Sequence, residues 1–469
     1  MSNTKSRFCP SPTGFMHLGN LRTALFSYLV TQKDNGNFLL RIEDTDQERS
    51  KKEYSDAICE DLEWMSLSWD EGPHRKGDNQ EYFQSMRTEI YDKYYQTLLD
   101  KDLIYPCFMS EDELKLVRKT QLASGKPPRY PGTWANATKE EIEQEFEKGN
   151  KPVYRFRMPK DTVITFVDLV KGEQSFESND LDDFIIMKDD ESPTFMFSNA
   201  IDDSLMGVNL VLRGEDHLSN TPRQIALLKS LDFKEPKYGH IALFTGNDGA
   251  PLSKRNGSLS LKEMKQKGYL PQAIANYLSR VGHVIPDNNL RSLTELAVEF
   301  DISKISTSPS KFDLDQLNFW QKKSIEAMTD DNLSKLLEDV LQNKLPEDIN
   351  HSDFTRVFRS KVVFPSDALN LAEHIFSERL ILGKNSKSIL TKAGQDFFDK
   401  CKDLYGKDHP DWKSFLDELS ISTGKKGKDV FLPLRIALSG LDSGPELDEL
   451  AGLLGKDRVL ERFDQARNI

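Results

Sequence analysis

The sequence predicts an α/β protein, in which a parallel-sheet domain is split by an α+β insertion and followed by an all-helical C-terminal region. Three observations carry this. The first 45 residues read strand, loop, helix, strand; the stretch 83–185 breaks that rhythm; and from 326 onward leucine and phenylalanine recur at three- and four-residue spacing. Strand–helix–strand units of this length favour a parallel sheet with right-handed crossovers. At 469 residues the chain is too long for one core, since single domains run to about 100–200 residues.

Each element has a local reason. After Arg7-Phe8-Cys9, the turn Pro10-Ser-Pro-Thr-Gly14 feeds a segment with Leu21, Ala24, Leu25, Tyr28 and Leu29 at helical spacing. Asn35-Gly36 predicts the helix stop, and Asn37-Phe-Leu-Leu-Arg-Ile42 a buried strand. The interrupting stretch carries its own helices and a Pro/Gly-rich surface piece, Gly125-Lys-Pro-Pro-Arg-Tyr-Pro-Gly132. Two apolar strands then return, Phe184-Ile-Ile-Met187 and Leu210-Val-Leu-Arg213, and Thr221-Pro222 opens a helix with proline at its first position. The expected division is therefore 1–82 and 186–249 for the two halves of the parallel-sheet domain and 83–185 for the insertion. A mixed linking domain over 250–325 and a helical region over 326–469 complete it. No internal repeat or low-complexity tract interrupts these segments.

Composition narrows the class. With 37% hydrophobic and 30% charged residues, 27 Phe and 13 Tyr, the chain has the apolar volume for real cores and is not a disordered tail. No apolar signal core follows Met1, and no run of about 18 apolar residues predicts a membrane span. Cys9, Cys59, Cys107 and Cys401 show no paired spacing, so a disulfide framework is not expected and a reducing cytoplasm is the expected setting. The net charge of −13 speaks mildly against a nucleic-acid partner, but backbone binding needs only a local basic surface. Clusters such as Lys425-Lys426-Gly-Lys428 and Lys262/Lys265/Lys267 read, taken alone, as solvated faces.

Two segments carry chemistry. In Arg7-Phe-Cys-Pro-Ser-Pro-Thr-Gly-Phe-Met-His17-Leu-Gly19-Asn20, a glycine-bearing turn enters a helix N-terminus. Unpaired N–H groups and the helix dipole there favour phosphate. His17 could donate to triphosphate oxygens, or it could simply cap the helix. In Pro251-Leu252-Ser253-Lys254-Arg255-Asn-Gly257, a cation-bearing loop suits departing pyrophosphate, and equally suits an ordinary surface.

Their order and placement resemble the class I aminoacyl-tRNA synthetases, where the two segments are the "HIGH" and "KMSKS" signatures. The match sharpens toward bacterial-type glutamyl-tRNA synthetase at Ser11-Pro-Thr-Gly14, Arg41-Ile-Glu-Asp-Thr-Asp46, Asp202-Asp203 with Met206-Gly, Arg213-Gly-Glu-Asp216-His and Asn220-Thr-Pro-Arg-Gln224. It extends to Gly268-Tyr-Leu-Pro271, Lys428-Asp-Val-Phe-Leu-Pro-Leu-Arg435 and Ser443-Gly-Pro-Glu-Leu447, and so runs nearly end to end. The resemblance implies a Rossmann-like class I catalytic domain, an inserted α+β domain binding the tRNA acceptor end, and an all-α anticodon-binding region. It also implies ATP with Mg²⁺, L-glutamate and tRNA as partners.

Carried over residue by residue, it assigns His17, Gly19 and Lys254 to catalysis, and Thr13, His17, Gly19, Asn20, Glu215, Ser253, Lys254 and Arg255 to ATP. Arg7, Ser11, Glu43, Phe195, Asn199 and Arg213 fall to the glutamate pocket, with Arg155, Arg157 and Lys188 as tRNA contacts. The chemistry agrees, because glutamate presents an ammonium and a side-chain carboxylate and so needs one anion and at least one forked cation. Glu43 could instead pair with Arg41 or Arg49.

Three positions depart from the family. Where some members hold zinc with Cys-x-Cys and Cys-x-His, this chain has Cys107-Phe-Met109 and Trp134-Ala-Asn136, so no structural zinc is expected. Phe195 stands where a pocket tyrosine is common, and Asn20 where Gly or His is frequent. A tRNA-modifying paralogue would lack the helical tail, and a glutaminyl-tRNA synthetase would end in β-barrels. A smaller nucleotidyltransferase would need neither insertion nor tail, and a catalytically dead RNA-binding relative would not be expected to keep His17, Lys254, Arg7 and Arg213. The sequence admits tRNA-Glu alone or tRNA-Glu with tRNA-Gln, and a monomer is expected.

Overall fold

The computed structural model describes residues 3–74, 79–246, 248–250, 252, 259–407 and 411–469. Contacts divide the chain into two units, Met1–Met264 with Ile274–Leu314, and Lys265–Ala273 with Asp315–Ile469. Among the described residues no helix is long and apolar enough to cross a membrane.

The first unit runs β1 (Lys5–Phe8), α1 (Leu18–Lys33), β2 (Asn37–Leu40), α2 (Lys52–Trp64), α3 (Thr88–Asp100), β3 (Ile104–Cys107), α4 (Glu111–Ala123), α5 (Lys139–Glu147) and β4 (Val153–Phe156). It continues β5 (Val163–Asp168), β6 (Gly172–Glu177), β7 (Phe184–Met187), α6 (Phe195–Leu205), β8 (Leu210–Gly214), α7 (Thr221–Ser230) and β9 (Lys237–Ile241). β1 pairs in parallel with β2, β8 with β9, and β9 with β5, while β6 adds to β5 as an antiparallel hairpin. β1 lies beside β8, since the Asn209 N–H donates to the Lys5 carbonyl at 3.0 Å and its side chain accepts from the Lys5 N–H at 2.8 Å.

The predicted helix stop has a steric cause. Asn35 adopts a positive φ of 48°, and a Cβ on Gly36 would sit 1.9 Å from the Thr4 carbonyl oxygen, so only glycine lets the chain pass β1.

The strand at 184–187 departs from expectation. Rather than resuming the parallel sheet, β7 pairs antiparallel with β4 in the three-stranded β3–β4–β7 sheet of the insertion. It is β5 that joins the parallel sheet. A short run of apolar residues reads alike in either setting, and only tertiary partners distinguish them.

Cys107 is buried in that insertion, and its thiol donates to the Tyr130 hydroxyl at 3.4 Å, which accepts the Trp134 N–H at 2.9 Å. Met109 and Trp134 pack against the same cluster. Among the described residues no group of three or more His, Cys, Asp or Glu side chains could hold a metal ion. Arg155 corrects its expected role as a tRNA contact. It is buried, with its guanidinium 3.9 Å over the Tyr130 ring and one N–H on the Asp183 carbonyl at 2.8 Å, so the charge braces the insertion from inside.

In the second unit, helices bury one stripe each. Leu333, Leu337 and Leu341 on Asp330–Leu341 meet Phe354 and Phe358 of His351–Phe358, together with Phe397, Phe398, Phe415 and Leu434 from later helices. The four-residue spacing of the leucines is the 3.6-residue period seen in the sequence.

Candidate active site

The strand ends of β1, β8 and β9 and the start of α1 surround a cavity of about 630 Å³, at the carboxyl edge of the parallel strands where α/β folds bind ligands. Arg7, Ser11, Thr13, His17, Gly19, Asn20, Glu43, Phe195 and Arg213 all line it. Segments more than 200 residues apart in the chain therefore meet there.

His17 takes the capping role open to it. It is the N-cap of α1, its Nδ1 accepting the Gly19 N–H at 3.1 Å. That bond puts the proton of the neutral ring on Nε2, leaving a donor for a ligand. Burial holds the ring's pKa below the ordinary value, which keeps it neutral. A Cβ at Gly19 would crowd the same contact, coming 3.0 Å from the His17 ring.

Glu215 is different. Its carboxylate pairs with Lys171 and accepts the Leu243 N–H at 2.8 Å, and it is absent from the cavity lining. Its place is to hold the Leu243 backbone, which does form a wall. Ser253, Lys254 and Arg255 lie outside the described residues.

The two arginines of the expected glutamate pocket are not equivalent. Arg7 is committed to Asp203, with contacts of 3.2 Å to both carboxylate oxygens. Burial opposes its charge, but Asp203 and its neighbours more than offset that and raise its pKa. Arg213 instead donates Nε to His240 Nε2 at 3.2 Å and one terminal nitrogen to Thr221 Oγ1 at 2.8 Å. Its other terminal nitrogen is buried and finds no hydrogen-bond partner among the described residues. Burial pushes its pKa below the ordinary arginine value, since no carboxylate bonds it.

Glu43 is buried too, accepting from Arg41 at 3.1 Å and from Asn199 at 2.7 Å, both on Oε1, so Oε2 takes neither bond. Asn199 acts one step back from the cavity, held in turn by Gln224 at 3.2 Å. Phe195 lines the cavity with its ring centroid 5.1 Å from that of His217 and offers no hydroxyl. Lys188 lies in an adjoining recess with Ser11, Thr13 and Asp46. Arg157 is partly buried, its guanidinium 4.5 Å over the Tyr105 ring.

Sequence reasoning missed Arg22, Asp168, His240 and Thr221. Arg22 lines the cavity, donates to the Ala242 carbonyl and lies 5.2 Å over the Phe244 ring. The available signals were an arginine on the apolar face of a helix and a histidine inside the apolar strand Tyr238-Gly-His-Ile241.

The buried and half-buried histidines set a pH response. His17, His217, His240, His283 and His374 all have pKa values lowered by burial, His217 to about 4. Folding therefore favours their neutral forms. That contribution is whole above the unfolded histidine value of about 6.5 and is lost as pH falls from there. Thermal melts should show falling stability between pH 7 and pH 5; a flat profile would mean these rings gain compensating partners on protonation.

Residues 3–319 match the family described as tRNA synthetases class I (E and Q), catalytic domain, and residues 287–467 match an anticodon binding domain. The chain is 48% identical over 459 residues to glutamate–tRNA ligase 2 of Nitrosococcus oceani, covering 98% of this chain and 97% of that one. It is 46% identical over 462 residues to glutamate–tRNA ligase 2 of Coxiella burnetii, covering 98% and 99%. A crystal structure of a glutamate tRNA ligase from Elizabethkingia meningosepticum, in complex with its amino acid, superposes with a TM-score of 0.89 at 27% identity, covering 100% of this chain and 99% of that one. With a cavity at the sheet edge, a matched catalytic domain and a matched anticodon-binding domain following it in the sequence, the chain belongs to the class I tRNA synthetases of the E and Q group.

Proposed function

We propose that the chain uses ATP to join L-glutamate to the 3′-terminal adenosine of tRNA-Glu, through a glutamyl-adenylate, releasing AMP and pyrophosphate. One observation carries the amino-acid choice: Arg213 and Glu43 line the same cavity, and one buried terminal nitrogen of Arg213 has no hydrogen-bond partner among the described residues. A cation without a protein counter-ion suits a substrate carboxylate, and Glu43 Oε2 suits the ammonium. The names of the relatives support the same substrate.

In the first step the glutamate α-carboxylate attacks the α-phosphorus of ATP in line and pyrophosphate leaves. In the second, the terminal hydroxyl of tRNA attacks the activated carbonyl and AMP leaves. The protein's part is positioning and charge stabilisation. His17 Nε2–H, Thr13, Asn20 and the backbone held by Glu215 would bind the nucleotide, with Ser253, Lys254 and Arg255 at the phosphates. Mg²⁺ enters as the companion of the triphosphate, because no metal-binding group of side chains is present among the described residues. Arg157 and Lys188 remain the proposed acceptor-end contacts, and the division at 82, 185, 249 and 325 the proposed domain plan. A zinc-free monomer working in a reducing cytoplasm completes this reading; its free Cys59, Cys107 and Cys401 thiols are all buried.

Charging of purified tRNA-Glu and tRNA-Gln, each with labelled glutamate and ATP, tests it. The expected result is charging of tRNA-Glu, and charging of both would widen the tRNA range without changing the amino acid. Failure with both, while ATP binds, would overturn the assignment.

A further inference from the structure

Among the described residues Arg213 has no carboxylate within hydrogen-bonding distance, yet it is not loose. Its Nε–H donates to His240 Nε2 at 3.2 Å, and Thr221 Oγ1 lies 2.9 Å from the same ring nitrogen while accepting from Arg213 at 2.8 Å. Arginine can only donate, so His240 Nε2 must be the acceptor and its proton must sit on Nδ1. Nδ1 lies 2.5 Å from Asp168 Oδ2. The other Asp168 oxygen accepts three backbone N–H groups, from Val170 at 2.9 Å, Lys171 at 2.8 Å and His240 at 3.2 Å. Both side chains of the pair are fully buried. Sheet register builds the chain of contacts, because β5, β9 and β8 are adjacent and Arg213 lies opposite His240 across the β8–β9 pair.

We propose that the buried Asp168–His240 pair is a positioning device for Arg213, holding its guanidinium toward the cavity through an uncharged acceptor so that its full charge remains available to a substrate carboxylate. The inference rests on the reading of Arg213 as the carboxylate receptor. An aspartate touching Arg213 directly would orient it as well but would neutralise it, as Asp203 does for Arg7. Interposing a neutral imidazole separates orientation from neutralisation, and Asp168 fixes the tautomer that makes the imidazole an acceptor. Neither residue touches substrate, so both are positioning residues.

Asp168→Asn tests this sharply. Three backbone donors keep the amide oxygen in the Oδ1 position, so the amide nitrogen must face His240 Nδ1. That nitrogen donates, which forces the ring proton onto Nε2, directly opposite the Arg213 Nε–H. Two donors then meet and Arg213 loses its aim. In ATP–pyrophosphate exchange with glutamate and tRNA, the expected result is a rise in the KM for glutamate of about tenfold or more, the worth of a hydrogen bond to a charged group. The KM for ATP should stay near its original value.

Arg213→Lys is the control for the underlying reading. If it raises the glutamate KM and Asp168→Asn does not, the positioning role is overturned and the receptor stands. If Arg213→Lys leaves glutamate binding intact, the receptor reading falls and takes this inference with it. His240→Gln, which restores an amide oxygen acceptor, should bind glutamate better than His240→Leu; equal losses would count against the proposal. Should the Asn variant damage glutamate and ATP binding alike, ¹⁵N NMR of the unmutated protein decides: a proton on His240 Nδ1 supports the device, and one on Nε2 overturns it.

Discussion

Arg213→Ala is expected to raise the KM for glutamate by roughly 100- to 1,000-fold while leaving the KM for ATP within a few-fold of its original value. The argument is one of charge in a dry site. Arg213 is 5% exposed and lines the cavity, two of its nitrogens are tied to neutral acceptors, and the third has no hydrogen-bond partner among the described residues. A substrate carboxylate entering there gives up water and gains a charge-assisted hydrogen bond. With the cation gone, the carboxylate keeps its desolvation penalty and loses the partner, a loss of about 3–5 kcal/mol in buried pairs, or two to three orders of magnitude and more in affinity. Glutamate-dependent ATP–pyrophosphate exchange in the presence of tRNA measures both constants. A glutamate KM raised less than tenfold would move the receptor elsewhere, with Arg7 the next candidate.

Asp203→Asn is expected to lower the stability of the first unit by about 3–5 kcal/mol, the cost of removing one member of a buried ion network. Asp203 bonds Arg7 at 3.2 Å and Arg41 at 2.9 Å, and Arg41 also reaches Glu43 at 3.1 Å. Next to it in sequence, Asp202 accepts from Arg87 at 2.8 Å, Gln84 at 2.8 Å and the Tyr91 hydroxyl at 2.6 Å. The neutral amide leaves two buried guanidinium groups with one carboxylate fewer. Burial works against ionisation of Asp203, but Arg7 and Arg41 outweigh it and hold its pKa below the usual carboxylate value. Its contribution is therefore in place above about pH 4 and fades as pH falls through the folded-state value. Guanidinium unfolding at neutral pH, followed by tryptophan fluorescence, checks the magnitude, and repetition at lower pH checks the sign. A loss under about 1 kcal/mol would show that Glu43 and Asp202 alone suffice for the two arginines.

Much of the site was legible in one dimension because its parts lie in continuous segments with local physics. The capping geometry of His17 with Gly19 is settled within three residues by hydrogen bonding, and the stop at Asn35-Gly36 is marked locally by the positive φ of Asn35, although the close approach that demands glycine is to Thr4. The helical second unit was equally readable, since the spacing of Leu333, Leu337 and Leu341 is itself the buried stripe. The pocket residues Arg7, Glu43 and Arg213 were recognisable from the motifs around them.

Tertiary structure alone decided which arginine is free and which charge is already taken. Arg7 and Arg213 have the same side chain, yet one meets Asp203, 196 residues along the chain, and the other meets His240 on the neighbouring strand. Asp168 and His240 are 72 residues apart, each embedded in a strand that gives no local sign of a partner. Arg155 looked like a surface cation and is an interior brace, because Tyr130 arrives beneath it from a loop 25 residues earlier. β7 joined the sheet of the insertion for the same reason. Hydrophobic period sets how a strand faces, but strand partners and the pairing of buried charges depend on which segments the fold brings within about 3 Å, the range at which hydrogen bonds act.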